Sequence, residues 1–176
     1  GMDIPLISRF GCGYVQGVKA VNPDVKVIQN MTGTTPTAWA DPVKGGELTK
    51  AQISQGADIV YHASGNTGVG VLQAAADAGI LGIGVDKNQN HLHPGSVLTS
   101  MVKRVDTGVY DSFKAGADLA GGFRTLTLAN GGISYAMDEH NVGLVTKAMV
   151  DAVEEAKAKI ISGELKVHDY MSDSSC

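Results

Sequence analysis

Ala57-Asp58-Ile59-Val60-Tyr61-His62-Ala63-Ser64-Gly65-Asn66-Thr67-Gly68-Val69-Gly70-Val71-Leu72 holds a strand, a turn and the start of a helix in succession. Its first five residues are a short run of β-formers and read as a strand. The run stops at the turn Ser64 to Gly68, which opens a helix ending near Gly79. Ile80 to Val85 is again apolar and β-rich, and Asp86 closes it. A strand, a crossover helix and a second strand in this order pair in parallel with a right-handed connection.

The same alternation continues outward in both directions. Pro5 to Ala20 reads as a helix, with Ile7, Phe10, Tyr14, Val15 and Val18 near helical spacing and Pro5 tolerated in a first turn. Asn22-Pro23 breaks it, and Val25, Val27 and Ile28 predict a short strand. After the polar loop Thr32 to Thr37, Asp41-Pro42 starts a helix that runs to about Gln55 and ends at Gly56. Downstream, Val97 to Val102 reads as a strand. A helix capped by Asp106 follows, carrying Val109, Phe113 and Leu119 and stopped by Gly121-Gly122. Thr125 to Leu128 and Ile133 to Ala136 are predicted strands around the Gly131-Gly132 turn. Asn141 to Ile161 is the longest predicted helix, stopped by Ser162-Gly163. Lys166 to His168 is predicted as an edge strand, and Ser172 to Cys176 as a frayed tail. The expectation is an α/β fold: a parallel sheet with helices on both faces.

Composition fits that class. Of 176 residues 43% are apolar and 18% charged, and the net charge is −4. Disorder is excluded by the first figure, and a nucleic-acid partner is argued against by the last. No apolar run is long enough for a membrane span, and no signal peptide is read. Gly1-Met2 reads equally as a cleavage scar before an initiator Met or as sequence cut in its middle. Cys12 and Cys176 are too few for a disulfide framework and say little about the compartment.

In parallel sheets ligands bind beyond the carboxyl ends of the strands. That rule marks the loop after Met31, the turn after His62 and the residue after Val85. The turn holding Gly65 and Asn66 points backbone N–H groups above the sheet, or is an ordinary strand–helix turn. It lacks the Lys of a phosphate loop, since Val71 and Leu72 follow its last Gly. Asp86 can accept two hydroxyls of a vicinal diol, as a ribose presents, or can cap the turn at Asn88 and Gln89. Trp39, the single Trp, offers an indole for stacking on a flat base, or a lid over the core. Lys103 and Arg104 end a strand, and read by themselves as solvated charges. No metal site is expected: His91 and His93 lack a third ligand, and His62, His140 and His168 are scattered. Asp138-Glu139-His140 is a polar turn suited to acid–base work, but no nucleophile accompanies it, so no enzyme and no cofactor are expected.

Several segments together resemble the basic membrane protein family, the nucleoside-binding lipoproteins related to the purine nucleoside receptor of spirochaetes. Met2 to Phe10 resembles the segment after that family's Gly-Gly turn. Trp39-Ala40-Asp41-Pro42-Val43-Lys44-Gly45 is similar to its aromatic-x-Asp-Pro-x-Lys-Gly. Ala63 to Gly68 stands where it has Ala-Ala-Gly-Gly-Thr-Gly, Gly84 to Gln89 where it has Gly-Val-Asp-x-Asp-Gln, and Val97 to Lys103 matches its Val-Leu-Thr-Ser-x-x-Lys. Two departures are Asn66 in place of Gly and Asn88 in place of Asp.

The resemblance implies a type I periplasmic-binding-protein fold, Rossmann-like, with two lobes and a purine nucleoside such as adenosine, inosine or guanosine in the cleft. It implies that Trp39 stacks on the base, that Gly65, with Asn66 beside it, lies at the ligand, that Asp86 takes ribose hydroxyls, and that Lys103 reaches the ligand. It further implies an ABC transporter permease as partner and a periplasmic or cell-envelope lipoprotein as the full-length form. Because the family is about twice as long, most of the N-terminal lobe is expected to be missing. Residues 1–103 are then mainly the second lobe, 104–136 return towards the first, and 137–176 form a C-terminal helix and tail. Apolar surface should be exposed unless a second chain covers it. A ligand-sensing regulatory domain of the same fold, or a small nucleoside-processing enzyme, is the alternative.

Overall fold

In a computed structural model, which describes residues 1–176, the chain forms two units. Residues Gly1–Ile83 and Lys166–Cys176 make the first, and Gly84–Leu165 make the second.

The first unit begins with α1 (Pro5–Val21), entered through Pro5 at its first turn. Its last turn is closed by Lys19, whose Nζ donates to the carbonyls of Pro23 and Val25, 2.6 Å each. Both carbonyls lie beyond the helix, so the cation ties the following segment back to its last turn. In α2 (Pro42–Ile53), Asp41 caps as its sequence position predicts, its Oδ1 accepting from Lys44 N–H at 2.9 Å. Strand β1 (Ile59–Tyr61) pairs in parallel with β2 (Leu81–Asp86), Ile59 opposite Leu81 and Tyr61 opposite Ile83. Between them runs α3 (Thr67–Asp77). Val60, Val71 and Ala75 pack together with Ile80 at their edge, and Leu72 is fully buried beside them. Full burial of a Val or Leu side chain here is worth about 1.5–3 kcal/mol in removed apolar surface. Helices α2 and α3 approach through glycine. A Cβ on Gly45 would strike the Thr67 carbonyl, and one on Gly70 would strike that of Pro42. A side chain at either position would push the helices apart.

In the second unit the end of β2 neighbours β3 (Val97–Lys103), and β3 pairs antiparallel with β4 (Ile133–Tyr135), Met101 opposite Tyr135. The sheet is therefore mixed rather than all-parallel. Around the apolar Val85, Val97 and Ala136 lie four buried polar side chains, Gln89, Asn90, Ser100 and Asn141. Neither α4 (Val105–Ala115) nor α5 (Lys147–Ser162) buries a residue. Phe113 is 82% exposed, and Val109, Tyr110, Met149 and Val153 are also open.

Several expected elements differ. Residues 25–28 are extended but form no strand; a cavity of about 510 Å³, lined by Val15, Val18, Val25, Ile28 and Ile59, lies where the strand would have met β1. Residues 125–128 form no strand, because Asn130 takes up the Thr127 N–H and the Thr125 carbonyl with its own side chain. No strand forms at 166–168 either; there Gln16 clamps His168, accepting from its N–H at 2.8 Å and donating to its carbonyl at 3.0 Å. Asp106 does not cap α4: Arg104 precedes that helix, and Asp106 in its first turn binds the Arg104 guanidinium instead. Leu119 lies beyond the end of α4. Helix α5 begins at Lys147, capped by Thr146, so α1 with 17 residues is the longest.

The tail is not frayed. Cys176 is bonded to Cys12 on α1, with Cα atoms 5.5 Å apart, and Arg9 pairs with Asp169 at 2.7 Å. Two cysteines 164 residues apart give no spacing signal; only docking of the tail on α1 brings them together. Replacing Cys176 by Ser should cost about 2–4 kcal/mol of stability, read as a lower denaturant midpoint than that of the oxidised parent. Equal midpoints for parent and variant would show that the bond constrains nothing.

Candidate functional site

Trp39 ends a short 3-10 turn, Pro36–Trp39, and is half-buried. The buried Thr67 fixes that turn from α3. Its hydroxyl donates to the Ala38 carbonyl at 2.7 Å and accepts from Asp41 N–H at 2.8 Å, so the residues on both sides of Trp39 are held by one oxygen. Gly65 lies directly beneath the indole. It adopts φ +58°, and a Cβ there would crowd the Trp39 carbonyl oxygen at 3.2 Å while only touching the ring. The exposed Asn66 precedes α3 and makes no capping bond with its side chain. Behind the turn, the buried His62 ring lies flat on Gly68, with Nδ1 3.5 Å from Ser64 Oγ. The cavity at this end, bordered by Thr32, Thr49, His62 and Ser64, measures about 100 Å³. That is below the volume a nucleoside-sized ligand occupies.

In the second unit Asp86 ends β2 with φ +69°, a region non-glycine residues seldom adopt. Lys87 N–H donates across it to the Val85 carbonyl at 2.8 Å, closing a tight three-residue turn. The carboxylate points outward and meets Lys103 Nζ at 2.7 Å, both side chains about half-exposed. An ion pair that open is worth at most about 1 kcal/mol, so a better partner can displace either member. Beside it, Asn88 donates to Asp138 Oδ2 at 2.6 Å. That amide, the first cause, holds the Asp138 carboxyl below its ordinary value, with further help from His140 N–H and Asn90. An Asp at position 88 would set two carboxylates against each other, which gives the Asn at this position a physical reason. The carboxylate of Asp138 is thus committed to hydrogen bonds that hold loops together.

The structure thus brings Trp39, Gly65 and Asn66 together in the first unit, and Asp86 and Lys103 together in the second. Sequence reasoning missed Thr67, the left-handed backbone of Asp86 and the buried polar group behind it. A buried Thr that serves two distant backbone groups leaves no local pattern. Asn88, Gln89 and Asn90 in succession after a strand were the one available signal.

A family model described as ABC transporter substrate-binding protein PnrA-like matches residues 1–170. The chain is 33% identical to the "ABC transporter nucleoside-binding protein BmpA" of Lactococcus lactis subsp. cremoris, across 95% of this chain and 51% of that protein. It is 34% identical to the "CD4+ T-cell-stimulating antigen" of Listeria monocytogenes, across 95% and 50%. Among solved structures, a solute-binding protein of an ABC transporter system from Aeropyrum pernix K1 superposes with TM-score 0.81 at 29% identity, covering 94% of this chain and 55% of that one. The chain spans about half the length of the curated relatives it matches.

Thr67→Val keeps the shape and removes the shared oxygen. It should cost about 1–3 kcal/mol and expose the indole, so that Trp39 fluorescence shifts to longer wavelength. An unshifted emission in the folded variant would mean that Thr67 does not hold the turn.

Proposed function

The chain belongs to the PnrA-like ABC transporter substrate-binding family, and from that premise we propose that it forms part of a solute-binding protein that captures a purine nucleoside for an ABC uptake permease. Asp86 carries this reading: an outward carboxylate on a left-handed turn at the carboxyl end of a strand, beside an exposed Lys. A vicinal diol gives such a carboxylate one hydroxyl per oxygen, and hydrogen bonds to a charged group are the stronger kind. Lys103 then serves as the neutralising neighbour that the sugar displaces or joins. Trp39, held by Thr67, supplies the flat surface for the base, and Gly65 and Asn66 line the turn beneath it. The family is one of solute-binding proteins, and no step of the proposal requires bond chemistry.

The exposed apolar residues of α4 and α5 suit a chain whose relatives continue for as long again. We assign their covering to the part of those relatives that this chain does not span, and treat residues 1–103 as mainly one lobe. The Cys12–Cys176 bond fits an oxidising compartment outside the cytoplasm.

Titrating inosine into the chain should quench Trp39 weakly, and more tightly when the complementary half of a relative is supplied. Asp86→Ala should then weaken binding by roughly ten- to a hundredfold, the range of about 1.5–3 kcal/mol for hydrogen bonds to a charged group. Unchanged inosine affinity in that variant, or preference for a ligand without a diol, would remove the ribose assignment.

A further inference from the structure

A left-handed aspartate persists only where its surroundings over-determine it, and the second unit shows what does so. Val85 N–H, just before Asp86, donates to Gln89 Oε1 at 2.8 Å. Gln89 N–H donates to Ser100 Oγ at 3.0 Å, and the Ser100 hydroxyl donates to Asn90 Oδ1 at 2.8 Å. Asn90 N–H donates to Asn88 Oδ1 at 2.9 Å, and the Asn90 side-chain amide reaches Asp138 Oδ2 at 3.2 Å, the oxygen that Asn88 also holds. Asp138 is anchored in turn: His140 N–H donates to its Oδ1, and its own N–H donates to Asn141 Oδ1, both at 2.9 Å. Asn141 donates onward to the carbonyls of Leu98 and Ala136. Gln89, Asn90, Ser100 and Asn141 are buried, so water cannot substitute for a lost partner. Gly84 leaves the space, since a Cβ there would strike both Ser100 Oγ and Gln89.

We propose that Gln89, Ser100, Asn90 and Asp138 form a positioning relay that holds Asp86 in its left-handed conformation, with Asp138 as the anionic end that locks the loop. The proposal rests on the reading of Asp86 as the ribose-binding carboxylate only for its functional meaning; the conformational claim is independent. Asn88 is the adjustable contact: it must be a donor because Asp138 is an acceptor.

The test is NMR of the isotopically labelled chain. A left-handed residue shows a strong intraresidue HN–Hα NOE, and Asp86 should show it. Asn88→Asp opposes two carboxylates and should abolish that signal at neutral pH. In Asn88→Asp, acidification until the two carboxyl groups share one proton turns position 88 back into a donor while Asp138 stays the acceptor, and should restore the signal, which a merely space-filling role would not predict. Ser100→Ala breaks the relay at its centre without adding charge, and should also lose the signal if the first variant fails to fold. Persistence of the NOE in folded Asn88→Asp at neutral pH or in folded Ser100→Ala, or a folded Asn88→Asp that does not regain it on acidification, overturns the relay. Inosine is titrated into the same samples. A parent chain that keeps the NOE yet does not bind inosine supports the relay and counts against the nucleoside reading alone.

Discussion

Asp86 stands at the end of β2 with its backbone in the left-handed region, a conformation that costs a non-glycine residue on the order of 1–3 kcal/mol. The cost is offset by the buried amides and hydroxyl behind it, each of which would lose a hydrogen bond if the turn relaxed. The polar core of the second unit follows from this constraint. Where an ordinary domain of this class places Leu and Ile, this one places Gln89, Asn90, Ser100 and Asn141, all buried and hydrogen-bonded.

The first unit solves the matching problem with less. One hydroxyl, on Thr67, ties Ala38 and Asp41, on either side of Trp39, to the first turn of α3, and Gly65 leaves room for the Trp39 carbonyl. Both arrangements use the same device. A tight turn presents one functional group outward, and a buried polar atom on a neighbouring element holds the backbone around it. Rigid scaffolding behind an exposed group is what recognition of a small ligand requires.

The remaining features concern what the chain is built to meet. Helices α4 and α5 bury nothing and present Val109, Phe113, Met149 and Val153 outward. The C-terminal tail, in contrast, is fixed three ways: by the Cys12 bond, by Arg9 on Asp169 and by Gln16 around His168. A polar tail has no hydrophobic reason to dock, so covalent and charged contacts supply one.

Much of the architecture was legible because it follows from local pattern. Apolar patterning and breaker residues placed α1, α2, α3, β1, β2 and β3 to within a few residues, Asp41-Pro42 gave a cap that the structure contains, and the rule about strand ends marked the turn holding Gly65 and the position of Asp86, while Trp39 stood out as the single Trp. The errors fell where local pattern competes with distant partners. The residues at 25–28 and 125–128 have strand composition but no strand beside them, and strands exist only in pairs. Local pattern was enough for the α/β class, the crossover unit and the residues that end β1 and β2. That Cys12 meets Cys176, that Lys103 pairs with Asp86 and that Asp138 bonds Asn88 emerged from folding in three dimensions, because each joins residues whose separation along the chain carries no periodic signal.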